Sequence, residues 1–214
     1  MRASVRAVLA ILLLAVPARA DTLKNVLSRL QQRYDGTNTM QADFRQTVES
    51  KTLAGTLESK GKVAFSKPNR MRWDYDPPDA QTIVGDGETL WIYQPDLKQV
   101  IKAPLTQAFQ SSTPVSFLAG LGRVERDFDA TLERDEPEQW LLKLVPKQKE
   151  GGVGLLELGV RKSDASVAEA RITDAAGTTT RIFFTDERRN VTLQPDLFHF
   201  SPPPGVDVVK PPTY

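Results

Sequence analysis

The sequence predicts a mainly β fold, an antiparallel sheet of about ten to eleven strands with two short helices. Apolar side chains recur at every second residue through residues 61–100 and again between residues 128 and 184. This is the spacing of strands that bury one face. Apolar residues recur at helical spacing in residues 21–34 and again near residue 117. A sheet of this many strands is expected to curl into a barrel or partial barrel.

The first alternating region is predicted to be an antiparallel meander. Val63 and Phe65 share one parity of a first strand, and Met71, Trp73 and Tyr75 share one parity of the next. Charged residues occupy the opposite parity of the second strand. Each strand therefore has one apolar and one polar face.

A tight turn is predicted at Asp86-Gly87. The pair lies between two apolar runs, residues 81–85 and 88–93. Asp-Gly favours a two-residue type I′ turn, which needs positive φ at both central residues. The turn would close a hairpin within the meander.

Two helices are predicted to lie against the sheet. Residues 21–34 form an amphipathic helix that Asp21 or Thr22 caps and Gly36 ends. A second helix of about two turns follows Thr113-Pro114, and its stability depends on packing. Their apolar stripes are Leu23, Val26, Leu27 and Leu30 in the first helix and Phe117, Leu118 and Leu121 in the second.

The other strands follow from the same alternation. Residues 39–50 form a strand before the first region, and five strands with apolar residues at even numbers make up the second region. Residues 198–200 are predicted to form a last strand. The prolines that follow it suit a sheet edge and discourage further pairing.

Residues 1–20 are predicted to be a signal peptide. They have a basic start, an apolar run over residues 7–16 and a small-x-small sequence that ends at Ala20. The run is shorter than the roughly 18 residues of a membrane anchor. Cleavage after Ala20 would leave residues 21–214 as one exported domain.

Composition argues against two classes of protein. The 28 basic and 27 acidic residues give a formal net charge of +1, and three of the arginines lie in residues 1–20. A nearly neutral chain lacks the basic surface that a nucleic-acid partner requires. The chain contains no cysteine, so it lacks the residue at which exported lipoproteins are acylated.

The residues give little support for catalysis or metal binding. His199 is the single histidine, and no nucleophile-elbow pattern accompanies it. We predict that it is an ordinary strand residue. Asp74, Asp76 and Asp79 fit neither EF-hand nor His/Cys ligand spacing and are typical of turns. We expect no enzymatic activity, no cofactor and no metal.

The apolar face of the sheet has two interpretations. It is an ordinary core beneath the helices, or it lines a ligand cavity inside a curled sheet. Periodicity alone does not separate them.

Several short motifs occur in the order found in a known family. Lys67-Pro68-Asn69 precedes a strand that ends in Trp73, and Pro78-Asp79, Asp86-Gly87, T-L-W-I-Y at residues 89–93 and Gln94-Pro95 follow. Residues 198–206 read F-H-F-S-P-P-P-G-V. The ordered set resembles the LolA family of periplasmic outer-membrane lipoprotein carrier proteins, over essentially the whole chain after residue 20.

The resemblance implies an incomplete, half-open antiparallel β-barrel of about eleven strands covered by short helices. Its cavity would take the acyl chains of lipoproteins, received from an inner-membrane ATP-driven (ABC) transporter and passed to an outer-membrane acceptor. The acceptor shares the fold but is lipid-anchored, so a chain without cysteine matches the carrier. We expect a monomer in the periplasm. The alternatives are a carrier or sensor of another lipid or amphiphile and, more remotely, a periplasmic hydrolase.

The resemblance also implies roles for particular residues. The two helices would form the lid. Lys67 stands where the family has an arginine that donates hydrogen bonds to lid carbonyls, and a lysine latch is expected to be weaker. Met71 stands where phenylalanine is common, and it is adaptable enough to line a lipid site. The predicted lipid-binding cavity consists of Phe44, Phe65, Met71, Trp73, Trp91, Tyr93, Leu142, Leu158 and Ile182.

Overall fold

Twelve β-strands in a single sheet make up most of the fold. The structure is a computed structural model that describes residues 22–50, 55–106, 123–147 and 153–211. The strands are β1 (Thr39–Glu49), β2 (Thr56–Ser66), β3 (Arg70–Tyr75), β4 (Gln81–Asp86), β5 (Thr89–Gln94), β6 (Gln99–Pro104), β7 (Phe128–Asp135), β8 (Gln139–Pro146), β9 (Val153–Arg161), β10 (Val167–Asp174), β11 (Thr179–Arg189) and β12 (Asp207–Val209). The helices are α1 (Leu23–Asp35), α2 (Val124–Asp127) and the 3₁₀ helices Pro95–Leu97 and Pro195–Phe198.

The sheet joins two antiparallel meanders. Its strand order is β12-β6-β5-β4-β3-β2-β1-β11-β10-β9-β8-β7, so the pairing of β1 with β11 connects the two halves. Among the described residues, β7 and β12 are the edges and do not pair with each other. The predicted open, mainly antiparallel sheet is confirmed, with one strand more than the eleven expected.

Strong curvature brings distant strands together on one face. Trp73 in β3 and Phe184 in β11 are separated by β2 and β1, which would place them about 14 Å apart in a flat sheet. Their ring centroids are 6.2 Å apart. Phe44 in β1 meets Trp73 with a ring separation of 4.9 Å in an edge-to-face arrangement. We call this concave side, which carries Phe44, Trp73 and Leu142, the inner face.

Helix α1 covers the inner face. It begins after Thr22, whose hydroxyl accepts a hydrogen bond from the Asn25 amide at 3.4 Å, and it ends at Gly36. Its buried residues Val26, Leu27 and Leu30 join the inner-face core. The first predicted helix, its cap and its apolar stripe are confirmed.

The β4–β5 turn differs from the prediction in its type. Asp86 is the last residue of β4, and the two turn residues are Gly87 and Glu88. Only Gly87 has positive φ, at +113°, so the type I′ prediction is wrong. The Asp86 carboxylate instead organises the turn, accepting hydrogen bonds from the amides of Glu88 and Thr89 and from Trp91 Nε1 at 2.8–3.0 Å. Partial burial raises the pKa of Asp86, but these hydrogen bonds outweigh it and hold that pKa below its usual value.

The C-terminal segment covers part of the opposite, outer face of the sheet. Residues 198–200 do not form the predicted strand, because Phe198 ends a 3₁₀ helix and His199 follows it. Arg72 on the outer face donates a hydrogen bond to the Leu197 carbonyl at 3.2 Å. The chain then adds β12 beside β6 in parallel. The prolines of the tail therefore do not prevent pairing, since three residues beyond them complete the sheet.

An apolar cluster lies beneath this segment. Phe200 packs against Trp91 and Tyr93 with ring separations of 5.8 Å. Val84 lies directly opposite Trp91 in the sheet and is fully buried. The outer face of this half of the sheet is therefore covered, in addition to its inner face.

We expect Phe198→Ala to destabilise the protein by about 3 kcal/mol, the usual cost of removing a buried aromatic ring. Phe198 is 4% exposed and holds the C-terminal segment against the sheet. Urea unfolding measures the effect. Leu97→Ala is the control, because Leu97 is 65% exposed and should change stability by less than about 0.5 kcal/mol. Equal stabilities of Phe198→Ala and Leu97→Ala would contradict the conclusion that Phe198 holds the C-terminal segment against the sheet.

Candidate functional site under the N-terminal helix

Seven of the nine predicted cavity residues lie together on the inner face. All seven are buried and belong to one continuous apolar cluster. They are Phe44, Phe65, Met71, Trp73, Leu142, Leu158 and Ile182. The arrangement creates a concave apolar surface; binding of lipid to it stays a prediction.

Trp91 and Tyr93 lie on the outer face, so their placement in the cavity is wrong. In β5 the inner-face positions belong to Leu90 and Ile92, which stand opposite Gly85 and Ile83 of β4. Residues 89–93 are apolar on both parities, so alternation does not tell which side faces inward. The register of β5 relative to β4, counted from the turn after Asp86, identifies which residues of β5 face inward.

The predicted lid residues divide between described and undescribed parts of the chain. Leu23, Val26, Leu27 and Leu30 belong to α1, whose apolar side packs on the inner face. Phe117, Leu118 and Leu121 lie outside the described residues.

Polar contacts attach α1 to one end of the sheet. We call this end the rim; it consists of the turns at residues 67–69 and 162–166 and the end of β11. Arg33 donates from Nη1 to Asp164 Oδ2 at 2.9 Å and from Nη2 to Glu187 Oε1 at 2.5 Å. Arg29 Nη2 donates to the Lys162 carbonyl at 2.6 Å. Charge-assisted hydrogen bonds of this kind are individually stronger than neutral ones.

Lys67 binds the C-terminal end of α1. Its Nζ donates to the Tyr34 carbonyl at 2.6 Å and to the Asp35 carbonyl at 3.4 Å, and it lies 5.8 Å from the centroid of the Tyr34 ring. The final carbonyls of a helix lack intrahelical donors and carry the negative end of the helix dipole. A cation at this position therefore stabilises the docked helix. The lysine contacts backbone carbonyls, as the family resemblance implies for a latch, while its effect on ligand release stays a prediction.

Asp164 is the acidic partner in this set of contacts. Partial burial raises the pKa of Asp164, but hydrogen bonds from the hydroxyl and amide of Ser166, together with the charges of Arg33 and Arg161, outweigh it and keep that pKa below its usual value. The carboxylate is therefore ionised in neutral solution and holds Arg33 in place.

A small apolar cavity lies beneath the C-terminal half of α1. It has a volume of about 80 Å³ and is lined by Leu30, Tyr34, Met40, Phe65 and Phe184, among others. Pockets that enclose small molecules usually measure about 300–1,000 Å³. Among the described residues, this cavity is too small for an acyl chain while α1 stays in place.

Tyr75 is half-buried on the inner face, at the end of the sheet away from the rim. Burial raises the pKa of Tyr75 to about 12, and the Tyr75 hydroxyl donates to Gln46 Oε1 at 3.1 Å. Tyr75 also packs edge-to-face on Phe44 at 4.9 Å. This end of the inner face favours apolar ligands over charged ones.

A larger hollow of about 620 Å³ lies on the outer face. Its lining includes the ion pairs Lys62–Asp43 and Arg72–Asp74. A surface of this charge does not suit alkyl chains. The inner face is therefore the candidate lipid site.

His199 lies away from the inner face. It is exposed after the second 3₁₀ helix, and its Nε2 is 3.3 Å from Ser201 Oγ. The prediction that it is a strand residue is wrong, because Pro195 begins a helical turn there. In the part of the chain that the structure describes, no group of His, Cys, Asp and Glu side chains is arranged to hold a metal, and no helix is long and apolar enough to cross a membrane.

Comparison with known proteins identifies the family. The model of the family described as "Outer membrane lipoprotein carrier protein LolA" matches residues 35–201. An outer-membrane lipoprotein carrier protein of Nitrosomonas europaea is 37% identical, with 95% of this chain and 96% of that protein covered. The outer-membrane lipoprotein carrier protein of Chromobacterium violaceum is also 37% identical, with 92% of this chain and 91% of that protein covered.

The chain belongs to the LolA family. An uncharacterized conserved protein from Thermus thermophilus has the same fold, with a TM-score of 0.55 at 16% identity over 88% of this chain and 98% of that chain. The LolA family model covers all strands from β1 to β11. The names of the relatives describe a carrier and not an enzyme.

We expect Asp164→Asn to lower stability at pH 7 by less than about 1 kcal/mol, because the Asp164 side chain is half exposed. A carboxylate with a lowered folded pKa contributes stability that is complete above the ordinary Asp pKa of about 4 and is lost as pH falls through the folded value. The difference from wild type should therefore vanish in urea unfolding at acidic pH. A difference that is constant with pH would contradict this role. Asp129→Asn, at a more exposed carboxylate, is the control.

Proposed function

We propose that this protein is a periplasmic chaperone that carries acylated lipoproteins and shields their acyl chains on its inner face. The observation that carries the proposal is the concave apolar surface whose cover, α1, is attached at the rim by hydrogen bonds and ion pairs. The names of the LolA relatives support the same cargo.

The cargo explains why such a surface is needed. Three acyl chains carry roughly 45 methylene groups, and each contributes about 0.8 kcal/mol when it is removed from water. Exposure of the chains would therefore cost on the order of 35 kcal/mol. A lipoprotein that crosses an aqueous compartment needs an apolar surface of matching size.

The transport route forms the finer part of the proposal. Residues 1–20 act as a signal peptide cleaved after Ala20 and direct the chain to the periplasm. An inner-membrane ATP-driven transporter loads the carrier, and an outer-membrane acceptor unloads it. The absence of cysteine from the sequence supports a carrier that is not itself acylated.

Loading requires the cover to move. The cavity beneath α1 holds about 80 Å³, so acyl chains replace the apolar side of α1 on the inner face. The hydrogen bonds from Lys67 stabilise the closed, empty state only. Ligand binding therefore competes with closure of the helix.

We expect a lipoprotein with brominated acyl chains to quench the fluorescence of inner-face tryptophans on contact. Trp73 and Trp140 lie on the inner face and Trp91 on the outer face. Trp91→Phe, which retains the inner pair, should lose most of its emission on loading. The double variant Trp73→Phe/Trp140→Phe, which retains Trp91, should lose little. Equal quenching of both variants would place the ligand elsewhere.

We expect Lys67→Leu to load lipoprotein at least as well as wild type and to release it poorly, because removal of the latch destabilises the closed state. A hydrogen bond to a charged group contributes about 1.5–3 kcal/mol, so the population shift should be large. Transfer of labelled lipoprotein from the purified loaded carrier to outer-membrane vesicles measures release. Lys67→Arg is the matched control and should transfer normally. Transfer by Lys67→Leu at the wild-type rate would show that Lys67 is not a latch.

A further inference from the structure

Trp140 carries a buried indole N–H that makes no hydrogen bond to the described residues. The side chain is 0% exposed in β8 and faces inward opposite Val160 of β9. Its Nε1–H has no hydrogen-bond partner among the residues that the structure describes. By contrast, Trp91 on the outer face donates from Nε1 to Asp86 at 3.0 Å.

An unpaired donor in this position calls for an explanation. Nearly all buried N–H groups in folded proteins have a partner, because an unsatisfied donor loses its hydrogen bonds to water without replacement. Phenylalanine would fill an apolar surface without this penalty. A hydrogen bond to an acceptor in another state of the protein would explain why tryptophan occupies this position.

The position of Trp140 along its strand suggests what that acceptor is. Trp140 is one residue from Gln139, which pairs with Arg161 at the rim. Leu142 and Leu144 follow on the same face, about 7 and 13 Å further from the rim at the usual rise of a strand. The donor therefore lies near the rim, and on this strand the apolar Leu142 and Leu144 lie deeper.

Helix α1 covers Trp140 in the closed state. The Arg29 guanidinium lies 4.7 Å from the centroid of the Trp140 ring and is held there by its hydrogen bond to the Lys162 carbonyl. When α1 moves away to admit a ligand, this cover leaves with it. Departure of this cover would open the Trp140 ring, with its unpaired N–H, to the ligand that replaces the helix.

We propose that Trp140 Nε1–H donates a hydrogen bond to the ester carbonyl oxygen of an acyl chain on the cargo. The inference rests on the proposed carrier function. An acyl ester joins an apolar chain to a polar head, so chains lying along Leu142 and Leu144 place the ester near the rim. Indole nitrogen acts only as a donor, and an ester carbonyl acts only as an acceptor. Trp140 thus selects acylated cargo over simple alkyl chains of equal length.

A pair of matched probes tests this selectivity. One is a synthetic peptide whose N-terminal cysteine carries a thioether-linked glyceryl group with two ester-linked acyl chains. The other has ether-linked alkyl chains of equal length and no ester carbonyls. Wild-type protein should bind the ester probe about three- to tenfold more tightly, as expected for one net hydrogen bond. Trp140→Phe should bind both probes with the affinity of wild type for the ether. Trp91→Phe is the control and should keep the preference.

Nuclear magnetic resonance of the wild-type protein gives an independent readout that does not rely on a variant folding. The chain has three tryptophans, and through-bond correlations from the assigned backbone of residue 140 to its ring identify the Trp140 indole N–H in the wild-type spectrum. This signal should move downfield with the ester probe and less with the ether probe.

The outcomes separate the two proposals. Equal binding of the two probes by wild type, or an unchanged preference in Trp140→Phe, would overturn the role of Trp140 and leave the carrier function intact. Failure of wild type to bind either probe would overturn both.

Discussion

The pairing of β1 with β11 is the contact on which the rest of the sheet depends, because among the described strands it alone joins the two meanders. Phe44 lies in this seam, opposite Phe184 on one side and Gly61 on the other. A Cβ at Gly61 would lie 1.9 Å from the carbonyl oxygen of Asp74, so no larger residue fits. The missing side chain also lets the Phe44 ring reach Tyr75 across β2. One glycine thereby permits the aromatic cluster that fixes the curvature of the sheet.

Two kinds of interaction hold helix α1 against the sheet, and an acyl ligand would affect them differently. The buried Val26, Leu27 and Leu30 of α1 each contribute roughly 1.5–3 kcal/mol by leaving water, and acyl chains bound to the same surface would replace that contribution. The hydrogen bonds that Arg33 and Lys67 make have no such substitute on an alkyl chain. Under the proposed function, the apolar contacts would exchange with cargo, while the polar contacts would favour the empty protein. This division suits a protein that must both take up and release its load.

Alternation in the sequence predicted most of the fold, because a curved sheet with one buried face imposes a period of two. It failed where both parities are apolar, as at Trp91 and Tyr93, since only the register set by the preceding turn decides which side faces inward. It also failed at Phe198, where a proline-initiated helical turn replaces the expected strand. The carbonyl partners of Lys67 followed from family resemblance and not from pattern. Nothing in the sequence indicated that the nitrogen of Trp140 would be unpaired, because alternation predicts burial but not hydrogen bonding.

The C-terminal segment gives the two halves of the sheet different contacts on their outer side. Strands β4 and β5 lie between the inner core and the outer cluster around Phe200, with apolar packing on both sides. Strands β8 to β11 carry partly exposed ion pairs on their outer side, such as Arg171–Glu157 and Arg181–Glu169, and pairs of this kind contribute little to stability. We therefore expect β8 to β11 to bend more easily than β4 and β5. Under the proposed carrier function, cargo of different bulk would be accommodated by bending β8 to β11 relative to the other half of the sheet.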